Sequence, residues 1–210
     1  MKEKVIIIGD GGHAKIVIDI LYEMNKYDIL GITSKNNDKK EFYGLPILGN
    51  DEVLLEFKNK GIHNIAIGIG GFKDNGLRTR VFDKFSLMGF NIVNVIHPKA
   101  IISKSVKLGK GNVIFAGVIL NPDVKLGNNV IVATGSTIDH ETIVEDNCLI
   151  SAGVTIGANT KIGNGSLCAL GSKIISDVSI GKSVLVAAGA VVVNNIKDGT
   201  RVFGVPAKEK

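Results

Sequence analysis

The chain has 210 residues, 45% of them hydrophobic, with a formal net charge of +5 and a mean hydropathy of +0.26. No apolar run approaches the eighteen or so residues of a membrane span, and Met1-Lys2-Glu3-Lys4-Val5 lacks a signal-peptide pattern. With only two cysteines, a cytoplasmic protein without a disulfide framework or membrane insertion is expected. The positive excess is scattered lysine with 5% aromatic residues, which argues against nucleic acid and leaves room for a small phosphorylated ligand.

Taken in order, Val5 to Ile8 is a short, all-apolar, β-branched run that reads as a buried parallel strand. It feeds Gly9-Asp10-Gly11-Gly12-His13-Ala14, a G-x-G-x-x-A pattern, and then an amphipathic helix with Ile16, Val17, Ile20, Leu21 and Met24 on one face. Bare amides at such a helix start suit a phosphate or pyrophosphate; the plainer alternative is that the glycines only close a tight turn. A dinucleotide site asks for a carboxylate about 20 positions further on, at the end of the second strand. Here the strand over 29–32 runs into Thr33, Ser34, Lys35 and Asn36, so NAD is disfavoured and a nucleotide-linked ligand preferred.

A helix over 51–59 and a third strand over 65–68 are expected next. Gly68-Ile69-Gly70-Gly71 then falls at the same strand ends as the first loop, where open α/β sheets bind ligands. A helix from about 75 to 88 carries Arg78 and Arg80, which read either as phosphate contacts or as an ordinary solvated face. A strand over 92–95 closes the unit, and His97-Pro98 reads as a joint because proline biases the preceding residue to extended backbone. The expected organisation is a Rossmann-like α/β domain over 1–97, with a small parallel sheet, and a second domain over 98–210.

From Ile102 to Val192 every sixth residue is apolar, without one insertion. A fixed six-residue period marks a parallel β-helix. At triple that spacing Gly117, Gly135, Gly153, Gly171 and Gly189 fall in register, as do Gly111, Asn129, Asn147, Gly165 and Ser183. A third column reads Asp123, Glu141, Asn159, Asp177 and Asn195. Glycine, asparagine and aspartate suit tight corners, so each coil has three short strands and three corners. Five coils at ~4.8 Å spacing would stand roughly 24 Å tall. Phe203 to Lys208 then reads as an extended cap or a cover for a neighbouring surface.

The repeat contains one histidine, in Ile138-Asp139-His140-Glu141. Imidazole is the side chain that titrates between pH 5 and 8, and an adjacent carboxylate on one ring nitrogen raises the basicity of the other. His140 with Glu141 is therefore the candidate general base, against the plain alternative of an inert surface histidine. A zinc site would need about three converging histidines, which the repeat lacks, so no metal is expected. Beside the glycine column run Ser151-Ala152, Ala169-Leu170 and Ala187-Ala188, small for the most part, which favours a groove where a thin ligand or another subunit lies close. Turn sterics alone would also explain the glycines.

The Gly-Gly-His loop, the gapless hexapeptide repeat, Asp139-His140-Glu141 and the closing Gly204-Val205-Pro206-Ala207-Lys208 together resemble the NeuD/PglD-type sugar acetyltransferases, across nearly the whole chain. The resemblance implies a left-handed β-helix and a homotrimer with acetyl-CoA between adjacent prisms. It also implies a nucleotide sugar on the N-terminal domain, with His140 as base and Glu141 as its partner. Gly11, Gly12 and His13 would contact the nucleotide sugar, together with Thr33, Ser34 and Gly68 at the neighbouring strand ends. Leu170, Ala188 and Gly189 would lie along the coenzyme.

Two departures stand out. Leu149 occupies a coenzyme-side position where members often carry a second histidine, and Thr33-Ser34 stand where many have paired aspartates. The reaction expected is N-acetylation of a UDP-linked 4-amino-4,6-dideoxy sugar. The alternatives are O-acetylation of sialic acid or a related sugar, and a non-catalytic trimeric sugar-binding or scaffold protein.

Overall fold

The structure, a computed structural model, describes residues 1–35, 40–71 and 75–209; Asn36 lies outside them. Two compact units divide between Pro98 and Lys99, with Asn75 grouped with the second. In the first, β1 (Glu3–Ile8) leads through the glycine loop into α1 (Gly12–Met24) and β2 (Tyr27–Thr33). A hairpin follows, β3 (Glu41–Phe42) and β4 (Leu45–Gly49), then α2 (Val53–Asn59), β5 (Asn64–Ile67), α3 (Gly76–Leu87) and β6 (Asn91–Ile92). The sheet order is β3-β4-β2-β1-β5-β6, parallel apart from the β3–β4 hairpin. The hairpin escapes sequence reading because it is short and carries Pro46, which demotes a strand pattern. The expected strand over 92–95 is two short pieces, Asn91–Ile92 and Val95–Ile96.

One face of this sheet buries Ile6, Ile8, Ile65, Ile67 and Ile92 against Leu54, Val81, Phe85 and Phe90. Phe85 and Phe90 meet edge to face at 5.5 Å. α1 buries Ala14, Val17, Ile18, Ile20 and Leu21, whereas Ile16, expected inside, is 38% exposed. The helix is apolar enough that period alone does not separate Ile16 from Ile18.

The second unit is a left-handed parallel β-helix of two-residue strands. Each strand pairs with those 18 residues away, as in Ile131↔Leu149↔Leu167, Thr137↔Thr155↔Lys173 and Ile143↔Lys161↔Ser179. The six-residue ladder points inward: from Ile114 to Val192 each member is at most 3% exposed. Ile102 and Leu108, in the first coil, are half-buried. Burying each such side chain is worth about 1.5–3 kcal/mol against leaving it in water.

A second inward column stands two residues before the ladder and holds Val118, Val124, Val130, Ser136, Thr142, Cys148, Val154, Thr160 and Ser166, all at most 1% exposed. The hydroxyls of Ser136, Thr142, Thr160 and Ser166 are satisfied within the coils. Ser136 donates to the Ser151 carbonyl at 2.7 Å, Thr142 to that of Gly157 at 2.9 Å and Ser166 to that of Gly181 at 2.7 Å. The same hydroxyls accept from amides of the next coil, Val154 at 3.3 Å, Thr160 at 3.2 Å and Val184 at 3.0 Å. A buried hydroxyl bonded on both sides avoids the cost of an unsatisfied one.

Every sixth residue from Gly111 to Gly189 has positive φ, between 50° and 71°. Asn195 is not among them; its side-chain oxygen instead accepts the Ser179 amide at 2.7 Å. After this the coil shortens, Val186 pairing with Val202. Arg201–Phe203 then turns back antiparallel onto Lys208–Glu209, so the tail is a hairpin closing the last coil.

The repeat glycines are of two kinds. A Cβ on Gly163 would lie 2.5 Å from the Gly181 carbonyl carbon and 2.6 Å from its oxygen, whereas one on Gly135 would meet nothing within 4 Å. Gly163→Ala is therefore expected to lower the thermal midpoint well beyond Gly135→Ala, whose cost is the positive φ alone, roughly 1–2 kcal/mol. Equal midpoints would show that coil spacing does not depend on that glycine.

Candidate active site

Two sites take shape, one in each unit. In the first, a cavity of about 480 Å³ opens at the C-terminal ends of β1, β2 and β5, lined by 8–13, 33–35, Asp51, 68–71 and Leu77. It lies where the chain crosses from one side of β1 to the other, the usual ligand crevice of an open α/β sheet. Its size suits a small molecule.

Gly11 is the N-cap of α1 with no side-chain cap, and both Gly11 and Gly12 are exposed, with nothing within 4 Å of an added Cβ. Packing does not require these two glycines, so the helix start is open to an anion. Gly68 is different: its Cβ would meet that of Ala14 at 2.9 Å, so its role is close passage of β5 beneath α1. His13 packs beside Gly70, its Cβ 3.0 Å from where one on Gly70 would stand. Burial, with a smaller contribution from the Arg78 charge, pushes the His13 pKa down to about 3, so its ring stays neutral at ordinary pH.

Arg78 is neither a phosphate contact nor part of a solvated face. It is 1% exposed, and its Nη1 donates to the carbonyls of Ile67 at 3.0 Å and Ile69 at 2.7 Å, pinning the second glycine loop. Burial pulls its pKa down to about 9. Arg80, two residues further along α3, is exposed.

Thr33 and Ser34 are buried at the end of β2, and the expectation that no carboxylate stands there is corrected. Thr33 pairs with Gly49 of β4, and its hydroxyl donates to Asp51 Oδ1 at 2.6 Å. Sequence reading assigned Asp51 only to a helix start. Recognising Leu45–Gly49 as a strand would have placed Asp51 beside Thr33.

In the second unit His140 lies on the edge between the strands Thr137–Ile138 and Ile143–Val144. Glu141 takes the corner itself, with φ of 59°. Backbone bonds to adjoining coils hold both: the Glu141 amide donates to the Pro122 carbonyl at 3.0 Å, and the His140 carbonyl accepts from Asn159 at 2.9 Å. With Nδ1 protonated, His140 donates to Glu141 Oε2 at 3.1 Å. Both side chains are open to solvent, at 53% and 64% exposure, so the ring is accessible to a reactant.

Asp139 supports this corner in a way the sequence did not reveal. Its Oδ1 accepts from the Asn121 side chain at 2.7 Å and from the His140 amide at 2.8 Å. The Asn121 bond, and then the His140 amide, hold its carboxyl below the usual carboxylate range. Asn121 lies one coil below Asp139, so an 18-residue offset in the sequence was the available signal.

Leu170, Ala188 and Gly189 come together on another edge, where the Gly189 amide donates to the Leu170 carbonyl at 2.9 Å. All three are exposed, Leu170 at 61%. Leu149 lies on a strand leading to the same edge but is only 7% exposed, paired between Ile131 and Leu167. Within one chain, the face containing Thr155–Ile156 separates the glycine edge from the histidine edge. Among the described residues, no group of three histidine, cysteine, aspartate or glutamate side chains is placed to hold a metal ion. Nor is any helix long and apolar enough to cross a membrane.

The PglD N-terminal domain family matches residues 4–85, and six bacterial transferase hexapeptide repeats match residues 105–140. The UDP-N-acetylbacillosamine N-acetyltransferase of Bacillus subtilis (strain 168) is 28% identical over 115 residues, a match spanning 50% of that protein's length. A histidine-to-alanine variant of the Caulobacter crescentus GDP-perosamine N-acetyltransferase, solved with CoA and GDP-perosamine, superposes with a TM-score of 0.92. It is 34% identical, over 99% of this chain and 96% of that one. The acetyltransferase domain of PglB from Neisseria gonorrhoeae FA1090 superposes with a TM-score of 0.92 at 30% identity, over 100% of both chains, and the same domain has been solved with acetyl coenzyme A. With both units matched in order and a 34% identical relative aligned nearly end to end, the chain belongs to the NeuD/PglD-type sugar acetyltransferases.

Proposed function

We propose that the protein transfers an acetyl group from acetyl-CoA to the amino group of a nucleotide-linked 4-amino-4,6-dideoxy sugar, with UDP as the nucleotide and His140 as general base. The observation that carries this reading is the exposed His140 ring bonded through Nδ1 to Glu141 at 3.1 Å, which leaves Nε2 as the basic nitrogen. Its setting is supported by relatives solved with CoA and GDP-perosamine or with acetyl coenzyme A.

In the proposed step the sugar amine attacks the thioester carbonyl, and Nε2 of His140 takes the proton that the nitrogen sheds. The new C–N bond forms, the C–S bond breaks, and the proton passes to the thiolate sulfur, releasing CoA and the N-acetylated sugar. Glu141 fixes the ring tautomer and stabilises the imidazolium formed. The cavity in the first unit holds the nucleotide sugar, its diphosphate at the α1 start formed by Gly11 and Gly12. His13, Thr33, Ser34 and Gly68 line the same cavity.

Acetyl-CoA lies along the glycine edge, past Leu149, Leu170, Ala188 and Gly189. That edge and the histidine edge belong to different corners of one prism. A homotrimer, in which one copy's histidine edge faces its neighbour's glycine edge, completes the site.

His140→Ala is expected to lower kcat by about 100- to 10,000-fold while the fold and assembly persist. Unchanged turnover would remove His140 from the chemistry. Glu141→Gln, which keeps the shape but not the charge, is expected to cost roughly tenfold.

Turnover assays with UDP- and GDP-linked 4-amino sugars, and with free sialic acid, decide the acceptor. Acetylation of sialic acid alone would replace this reading with O-acetyl transfer. Failure to consume acetyl-CoA with any of them would favour a sugar-binding protein.

A further inference from the structure

We propose that Asp51 is the carboxylate that receives the ribose hydroxyls of the nucleotide, with Thr33 as the residue that positions it. The proposal rests on the nucleotide-sugar reading above.

A parallel α/β crevice holds a ribose on an acidic residue at the end of the second strand, because an ionised carboxylate accepts from two neighbouring hydroxyls at once. Thr33 and Ser34 occupy that place in the chain and cannot act as an anionic acceptor. The fold supplies the carboxylate from elsewhere. β4 adds beside β2 with Thr33 opposite Gly49, and the Ser34 amide donates to the Gly49 carbonyl at 2.9 Å. The chain leaving β4 therefore passes directly over the end of β2, and Asp51 falls on the cavity wall.

The Thr33 hydroxyl, buried with its residue, donates to Asp51 Oδ1 at 2.6 Å and fixes the carboxylate from beneath. One hydroxyl donor leaves most of the carboxylate's acceptor sites available. The uncapped amides at the α1 start suit the diphosphate, and Asp10 and Lys35 share the cavity wall, so it is hydrogen-bonding chemistry that assigns the nucleoside end, rich in hydroxyl donors, to Asp51.

Calorimetry on the full chain with UDP and 2′-deoxy-UDP, and with GDP and 2′-deoxy-GDP, tests this without acetyl transfer. The native protein is expected to bind the ribonucleotide at least about tenfold more tightly than its deoxy counterpart. Asp51→Ala should lose that factor and bind both alike. Thr33→Val should lose part of the preference, and Thr33→Ser, which keeps the hydroxyl, should restore it. Asp51→Asn, nearly isosteric, serves as a second variant and should also weaken the preference.

A native protein indifferent to the 2′-hydroxyl, a preference that survives in Asp51→Ala, or no binding of either diphosphate would overturn the proposal. Failure of amino-sugar acetylation alongside an Asp51-dependent ribose preference would instead overturn the acceptor reading and uphold Asp51.

Discussion

The structure depends on the constraint that successive coils stack in an 18-residue register with their backbones hydrogen-bonded coil to coil. Two-residue strands have little pairing strength of their own; stability comes from repetition, each coil burying its ladder residues between those above and below. Such stacking tolerates no drift. An insertion would move inward side chains to the outside, and a bulky residue at Gly163 would collide with the coil above. Left-handed corners at every sixth residue keep the turns identical, with asparagine, aspartate and glycine filling most of them.

That regularity places the candidate catalytic group. His140 needs no dedicated loop, because the corner holding Glu141 and the backbone bonds to Pro122 and Asn159 set its position. Asp139 and Asn121, aligned one coil apart, brace the same edge. The scaffold's stacking bonds are thus also the positioning bonds of the proposed chemistry. The glycine edge shows the complementary device: small residues leave the backbone open without altering the turn.

The N-terminal unit works by a different logic, a few irregular contacts in place of a repeat. The buried Arg78 guanidinium ties two carbonyls of the second glycine loop, and the β3–β4 hairpin carries Asp51 to the end of β2. A desolvated cation in such a place is costly unless its bonds are made, which is why it reads poorly from sequence, where arginine predicts solvent.

The sequence by itself determined the β-helix, its corner columns and the pairing of His140 with Glu141. Each of these is local or periodic, so spacing along the chain is spacing in the fold. Only the tertiary structure decided what depends on residues distant in the chain: Asp51 beside Thr33, Arg78 under the glycine loop, and Ile18 rather than Ile16 inside. Strand order and helix rotation set those neighbours, through hydrogen bonds and packing that no repeat announces.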